Sequence, residues 1–220
     1  LKAFAILAVI FYHFGFLTFG YLGVDLFFVI NGFLITQGLI RNVNEDTLSY
    51  RQFIVKRFCR LFPLVLLAGA VSMIVGAISM LPDNYENLAT SVVASNLFSN
   101  NILSAITTRN YWDVVNNYKP LMHTWYLGII AEFYIVYPLI FLAVIKLFKN
   151  AEKAVVLKKI RNVILVFTII SFVLYLIPSI SYNSKFYYLP FRFFELSAGG
   201  LLAFAATKSQ NKSAVKKLVS

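Results

Sequence analysis

Apolar residues run along most of this chain in long stretches, separated by short polar or basic segments. A helix that crosses a bilayer needs about 20 mostly apolar residues, each contributing roughly 1.5 Å of rise. Six stretches meet this requirement. They are approximately residues 1–19, 22–40, 61–80, 125–147, 163–180 and 191–207. The pattern therefore predicts an all-α fold, a polytopic transmembrane helical bundle with about six spans.

Residues 87–108 are apolar enough to suggest another span, but they include Asn96, Asn100 and Asn101. We interpret them as a surface or re-entrant helix. Loop charge supports this, because Lys and Arg accumulate on the cytoplasmic side of a membrane. The loops after the second, fourth and sixth predicted spans are basic. A further span at 87–108 would turn the basic fourth loop outward, so six spans with a cytoplasmic amino end are expected.

Composition supports a membrane protein and excludes several classes of function. Hydrophobic residues make up 60% of the 220 residues and charged residues 13%, which would leave a soluble domain with too much exposed apolar surface. The net charge of +11 could suggest nucleic acid, but basic residues that flank spans explain it better. We expect membrane lipids and no nucleic acid among the partners. With one cysteine and no zinc-spaced histidines, no metal site is predicted.

Two ionisable residues lie inside the first two predicted spans, where such residues are costly and often functional. His13 lies about six residues before Gly20 and Asp25 about five after it, so a bend at Gly20 would place both at similar depth. An aspartate there could orient the imidazole and raise its basicity, as for a general base. A purely structural His–Asp bridge is an equal alternative.

Four basic residues lie at the predicted cytoplasmic ends of spans. Lys2 precedes His13 by eleven positions, so the two share a helix face about 16 Å apart. Lys2 would then lie at the cytoplasmic end of a polar stripe that reaches His13. Alternatively, Lys2 only extends its ammonium group to the membrane surface. Lys56, Arg57 and Arg60 form a basic cluster suited to phosphate groups. Binding to anionic lipid headgroups explains that cluster equally well.

Further polar residues lie within or near the outer halves of the predicted spans. Glu132 lies about eight residues into the fourth span, and Glu195 lies one turn after Arg192 at the start of the sixth. Such acids are hard to explain as solvated, although an Arg192–Glu195 pair could be structural. His123 precedes the fourth span, and Asn31 marks a polar position in the second.

Five motifs in order resemble those of the acyltransferase-3 family of integral membrane O-acyltransferases. The segment "LKAFAILAVIFYH" is similar to the family's opening helix, in which a basic residue precedes a histidine by eleven positions. The others are "GYLGVDLFFVINGFLIT", "FIVKRFCRLFP", "KPLMHTWYLGIIAEFYIVYPL" and "YYLPFRFFELSAGGLLA". The resemblance covers nearly the whole chain, and it implies an incomplete transmembrane domain at 1–207 of a domain with about ten spans. Residues 208–220 would form a basic cytoplasmic loop or tail.

Three positions depart from the family pattern. Lys2 replaces the usual arginine of the first helix, and Asn31 replaces the serine of the second. The glutamate expected five positions after Trp125 is Ile130, and the nearest acid is Glu132. Whether Glu132 takes over that role is left open by the sequence.

The resemblance implies transfer of an acyl group, commonly acetyl, from a cytoplasmic acyl-coenzyme A to a hydroxyl of a cell-surface or periplasmic glycan. The protein would then lie in the bacterial inner membrane. The implied site residues fall into three groups: catalytic His13, Asp25, Glu132 and Glu195; donor-binding Lys2, Lys56, Arg57 and Arg60; and acceptor-binding Asn31, His123, Trp125 and Arg192. His13 would either deprotonate the sugar hydroxyl or relay the acyl group. A transporter or flippase of a glycan or lipid-linked sugar, with these polar residues along its path, is the main alternative.

Overall fold

The computed structural model describes residues 2–107 and 119–219, with side chains for 3–107 and 119–207. These residues form helices joined by turns, which confirms the all-α prediction. The helices are α1 (Lys2–His13), α2 (Leu22–Asn44), α3 (Tyr50–Ser79), α4 (Pro82–Asn96), α5 (Asn100–Thr107), α6 (Trp125–Leu147), α7 (Lys153–Leu176), α8 (Tyr182–Tyr187) and α9 (Leu189–Val219). A 3₁₀ turn at Met122–Thr124 precedes α6.

Five of these helices, α2, α3, α6, α7 and α9, lie in segments long and apolar enough to cross a bilayer. The first predicted span is shorter than expected, because α1 ends at His13. Gly15 follows with φ of 77°, a left-handed conformation that glycine adopts easily and that turns the chain back. The polar segment that was not assigned as a span folds as α4 and α5, neither of which is long enough to cross.

The spanning helices leave many apolar side chains uncovered. On α3, Leu67, Ile74 and Ile78 are 61%, 65% and 86% exposed. Exposed aliphatic faces of this kind are expected where lipid, and not water, is the surrounding solvent. The structure therefore agrees with a membrane-embedded chain.

The chain divides into two compact units. One contains residues up to Leu48, then Ile140–Phe172, and the chain from Phe193 onward, and the other contains Ser49–Leu139 and Val173–Arg192. The first unit thus holds α1, α2, the second part of α6, most of α7 and nearly all of α9. The second unit holds α3, α4, α5, the 3₁₀ turn, the first part of α6 and α8.

In the first unit, α2 and α9 cross in backbone contact through two glycines. A Cβ atom added at Gly32 would lie 1.7 Å from the carbonyl oxygen of Leu196. One added at Gly199 would lie 1.9 Å from the carbonyl oxygen of Val29. Close approach through small residues is the usual way for membrane helices to gain packing energy. These two contacts determine how α2 and α9 are aligned along their axes.

In the second unit, Phe98 fills the space between α3 and α6. Its backbone has φ of 54°, an uncommon conformation for a bulky residue. The ring is 9% exposed, packs with Val65 and Ala131, and meets the ring of Phe58 edge-on at 5.0 Å. Burial of this ring offsets the backbone strain, and it holds the chain reversal between α4 and α5 against α3.

The α2–α9 crossing predicts that alanine is tolerated at one glycine of α2 and destabilising at another. Gly32→Ala should lower the thermal unfolding temperature of the detergent-solubilised protein, because the added methyl meets the Leu196 carbonyl and overpacking costs about 1–3 kcal/mol. Gly38→Ala is the matched control, since among the described residues its added Cβ would meet nothing beyond the backbone of its own helix. Equal unfolding temperatures for the two variants would contradict this packing.

Candidate functional site

The connection between α1 and α2 brings two glycines of the returning chain directly against α1. A Cβ atom added at Gly20 would lie 2.1 Å from the Ala8 carbonyl oxygen. One added at Gly23 would lie 2.7 Å from the Ala5 carbonyl oxygen. The returning chain therefore runs antiparallel to α1, with Gly20 beside Ala8 and Gly23 beside Ala5. The connection runs from residue 14 to residue 21 and includes the predicted turn at Gly20, but its midpoint lies nearer Gly15.

This register changes the expected relation between His13 and Asp25. His13 is the last residue of α1 and is exposed, whereas Asp25 lies in the first turn of α2 and is partly buried. With the bend near Gly15, their levels differ by roughly eight residues, or ~12 Å along the helix axes. The predicted equal depth is therefore wrong, because the chain turns back earlier than the sequence suggested.

The α2–α9 crossing brings two predicted site residues to one level. Asn31 immediately precedes Gly32 on α2, and Glu195 immediately precedes Leu196 on α9. Glu195 is 8% exposed, and Asn31 is partly buried. Because Gly32 faces the Leu196 carbonyl, these two polar residues lie on neighbouring helices at nearly the same height. The structure thus brings together a predicted catalytic residue and a predicted acceptor-binding residue.

In the second unit, Glu132 accepts hydrogen bonds that join three segments of the chain. Asn101 Nδ2 on α5 donates to Glu132 Oε1 at 2.7 Å and to the Tyr187 carbonyl oxygen at 3.1 Å. The backbone N–H of Leu189, at the start of α9, also donates to the Glu132 carboxylate. The acid inside this spanning helix therefore receives its donors from the protein, as an apolar surrounding requires.

Gly128 makes room for the amide of Asn101 on the same face of α6. A Cβ atom added at Gly128 would lie 2.2 Å from Asn101 Oδ1. The amide orientation is determined by its neighbours, since the Glu132 carboxylate and the Tyr187 carbonyl are both acceptors and both require the NH₂ group. Gly128 and Glu132, one turn apart on α6, together form the seat for Asn101.

Ile130 stands five positions after Trp125, where the motif of the acyltransferase-3 family has a glutamate. Its side chain is 2% exposed. Residues two positions apart on a helix point about 200° apart, so Glu132 cannot present its carboxylate where an acid at position 130 would. The Glu132 carboxylate instead meets Asn101 and Leu189. This geometry favours a positioning role for Glu132 over replacement of the missing acid.

The turn that carries His123 is held from behind by hydrogen bonds. Asn100 Nδ2 donates to the Leu121 carbonyl oxygen at 2.9 Å and to Thr124 Oγ1 at 2.7 Å. The Ser95 and Thr124 hydroxyls are also hydrogen-bonded, at 2.7 Å. His123 itself is exposed. The turn is thus fixed to α4 and α5 while the imidazole stays accessible.

Trp125 and Arg192 meet on the ring of Phe186 in α8. Trp125 is 3% exposed, and its ring centroid lies 4.6 Å from that of Phe186. Arg192 is 9% exposed; its guanidinium lies 5.0 Å from the Phe186 ring centroid, and its Nε donates to the Phe186 carbonyl oxygen at 3.3 Å. Two of the four residues predicted to bind the acceptor, Trp125 and Arg192, therefore hold α8 in place.

The predicted phosphate cluster separates into one fixed cation and two exposed cations. The guanidinium of Arg57 lies over two aromatic rings, 5.3 Å from the centroid of Phe53 and 5.6 Å from that of Tyr134. Lys56 and Arg60 are exposed. Arg57 is thus pre-positioned by cation–π contacts, whereas Lys56 and Arg60 remain accessible from solvent. The side chain of Lys2 lies outside the described part of the chain.

Asn100 and Asn101 are the residues that sequence reasoning missed. Their polarity indicated that 87–108 does not span, yet nothing in the sequence identified their partners at the 3₁₀ turn, on α6 and at the end of α8. Two adjacent asparagines in an otherwise apolar segment were the available signal. In membrane helices such residues commonly hydrogen-bond across to other helices.

Comparisons with known proteins point to one family. A family model described as an acyltransferase domain matches residues 1–220. The chain is 31% identical over 207 residues to the peptidoglycan O-acetyltransferase OatA of Listeria monocytogenes, covering 93% of this chain and 33% of that protein. It is 29% identical over 182 residues to an uncharacterized protein of Haemophilus influenzae, covering 82% and 73%. The chain thus spans about a third of the Listeria relative. No solved structure matches.

Loss of the Asn101 amide should destabilise the second unit. Asn101→Ala removes a side-chain donor from the Glu132 carboxylate and should cost about 1–2 kcal/mol, measured as a lower unfolding temperature in detergent. Asn87→Ala is the matched control, because Asn87 is exposed and its side chain donates within its own helix, to the Asp83 carbonyl. If both variants unfold like the parent protein, the Asn101 seat is not a stabilising contact.

Proposed function

Because this chain belongs to the acyltransferase-3 family of acyltransferase domains, which matches it along its whole length, we propose that it is the membrane part of an O-acetyltransferase of the bacterial cell envelope. The donor is an acyl-coenzyme A, acetyl-coenzyme A by preference, and the acceptor is a hydroxyl of a glycan. The family match is the observation that carries this proposal. The name of the Listeria relative makes peptidoglycan the first acceptor to test.

His13 is the proposed general base. It is exposed at the end of α1, so its imidazole can meet substrates, and a neutral imidazole accepts a proton near neutral pH. The base takes the hydroxyl proton, the glycan oxygen attacks the thioester carbonyl, and the C–S bond breaks. The departing coenzyme thiolate then takes up a proton. The products are the acetylated glycan and free coenzyme A.

Asp25 and Glu195 are the other proposed catalytic residues, and neither depends on contact with His13. The level of Asp25 is ~12 Å from that of His13, so we propose that the Asp25 carboxylate acts at a different depth from the imidazole. Glu195 is buried at the α2–α9 crossing, at the height of Asn31. We propose that Asn31 and Glu195 bind the acceptor at this level of the first unit. Within the second unit, exposed His123 is a separate proposed acceptor contact.

The donor phosphates are assigned to the basic residues of α3. Arg57 is held over two aromatic rings, and a pre-positioned guanidinium loses little freedom when it binds an anion. Arg60 and Lys56 are exposed and can reach a soluble ligand. Lys2 belongs to the same proposed group by its place in the sequence. Loop charge supports a cytoplasmic face for these residues and an inner-membrane location for the protein.

Replacement of His13 tests the chemistry. His13→Ala in the intact protein should abolish glycan O-acetylation, because the variant lacks the proposed base for the hydroxyl proton. Mass spectrometry of the cell-envelope glycans measures the loss, and immunoblotting of membranes checks the amount of protein. Acetylation at the parent level from an equal amount of His13→Ala protein would exclude His13 as the base.

Replacement of Arg60 tests the donor site. Arg60→Ala should raise KM for acetyl-coenzyme A by about tenfold with little change in kcat, since a hydrogen bond to a charged group is worth about 1.5 kcal/mol. Arg51→Ala is the control, because Arg51 is an exposed arginine nine positions earlier on the opposite face of α3. A similar KM for the two variants would contradict the phosphate role.

A further inference from the structure

A cavity of about 320 Å³ lies in the first unit, where α2 and α6 end and α7 begins. Its floor is apolar and includes Val43, Leu142, Ile145 and Val156, while its rim carries Asp46, Lys149 and Lys153. This volume is near the lower limit for small-molecule sites, which combine an apolar lining with a few polar groups. The cavity is separate from the residues assigned to acyl transfer.

The rim of the cavity has a net positive charge from two ammonium groups and one carboxylate. Lys153 forms an ion pair with Asp46, and its Nζ also donates to the Asn44 carbonyl oxygen at 2.8 Å. Lys149 is exposed and makes no ion pair within the described residues. An anion at the rim would therefore meet the ammonium group of Lys149, which has no ion pair within the described residues. It would also meet the ammonium group of Lys153, which has three N–H donors to divide between the anion and its present acceptors.

The cavity changes from polar to apolar along the direction of the helices. Leu142 and Ile145 lie in the last turns of α6, and Val156 lies in the first turn of α7, whereas Lys149 lies beyond the end of α6. Aliphatic side chains thus occupy membrane depth, and the charged groups occupy the depth of lipid headgroups. An amphipathic membrane lipid has the same order of charge and hydrocarbon.

We propose that this cavity binds one anionic phospholipid, with its phosphate at Lys149 and Lys153 and the first part of one acyl chain over Val43, Ile145 and Val156. The surrounding loops are basic, as cytoplasmic loops are, and basic pockets between helices on that side bind acidic lipid headgroups. The small volume limits the bound part to a headgroup and one chain segment. The proposal does not depend on the acetyltransferase reaction.

Native mass spectrometry of the intact protein tests this site. The protein is released from micelles that contain equal amounts of phosphatidylglycerol and phosphatidylcholine, and retained lipids are counted. One phosphatidylglycerol is expected to remain. Lys149→Gln should reduce its retention by about fivefold, the effect of one lysine near an anionic headgroup. Lys158→Gln, an exposed lysine of α7 outside the cavity lining, is the matched control and should change nothing.

Asp46→Asn gives a test with the opposite sign. It removes the negative charge from the rim and frees Lys153, so phosphatidylglycerol retention should rise. The change suits the backbone, because Asp46 has φ of 55° and asparagine tolerates that conformation. Unfolding temperatures of all variants confirm that each is folded. Lower retention in Asp46→Asn would mean that the ion pair is only structural, and would overturn the proposal.

Two further arms distinguish a lipid from a simple anion. Ile145→Trp fills the apolar floor and should reduce phosphatidylglycerol retention while the rim charges stay in place. Millimolar inorganic phosphate should not displace the lipid, because phosphate lacks the acyl chain. Equal retention of the two phospholipids, or displacement by phosphate, would overturn the proposal in favour of a non-selective apolar cavity or a simple anion site.

Discussion

A carboxylate within a membrane-spanning helix must be hydrogen-bonded from inside the protein, because lipid offers no donor. Glu132 meets this constraint through Asn101 on α5 and the backbone of Leu189 at the start of α9. Asn101 in turn requires Gly128 one turn earlier on α6. The position of α5, and with it the turn that carries His123, therefore follows from one acid in α6.

In the first unit, the helices are held by close packing of their backbones, whereas in the second unit they are held by hydrogen bonds to Glu132. Helices in lipid gain little from burial of apolar surface, so close backbone contact through small residues supplies much of their association energy. Gly32 and Gly199 give α2 and α9 that contact, and Gly20 and Gly23 do the same for the chain that returns from α1. The heights of Asn31 and Glu195 on their helices are consequences of these contacts. The proposed acceptor contacts at Asn31 and Glu195 thus depend on glycines that carry no chemistry.

The sequence predicts local features well and long-range ones poorly. The fourth predicted span is α6 with both bounds correct, because a continuous apolar run defines a helix without reference to the rest of the chain. The midpoint of the connection after α1 was misplaced, since Gly15 and Gly20 are both plausible turn residues and only packing against Ala8 decides between them. Asn101 and Glu132 lie on different helices, and periodicity cannot pair them. The motifs predicted the family, but not how far Asp25 lies from His13.

The central claim, that this chain transfers an acetyl group and does not move a glycan across the membrane, is tested most directly by one isotope measurement. The intact protein is reconstituted in proteoliposomes with glycan acceptor and acetyl-coenzyme A labelled in the acetyl group, and the glycan is analysed by mass spectrometry. The account predicts labelled acetyl esters on glycan hydroxyls, with one free coenzyme A formed for each ester. Glycan that crosses the bilayer without acquiring label, at a rate independent of acetyl-coenzyme A, would contradict it.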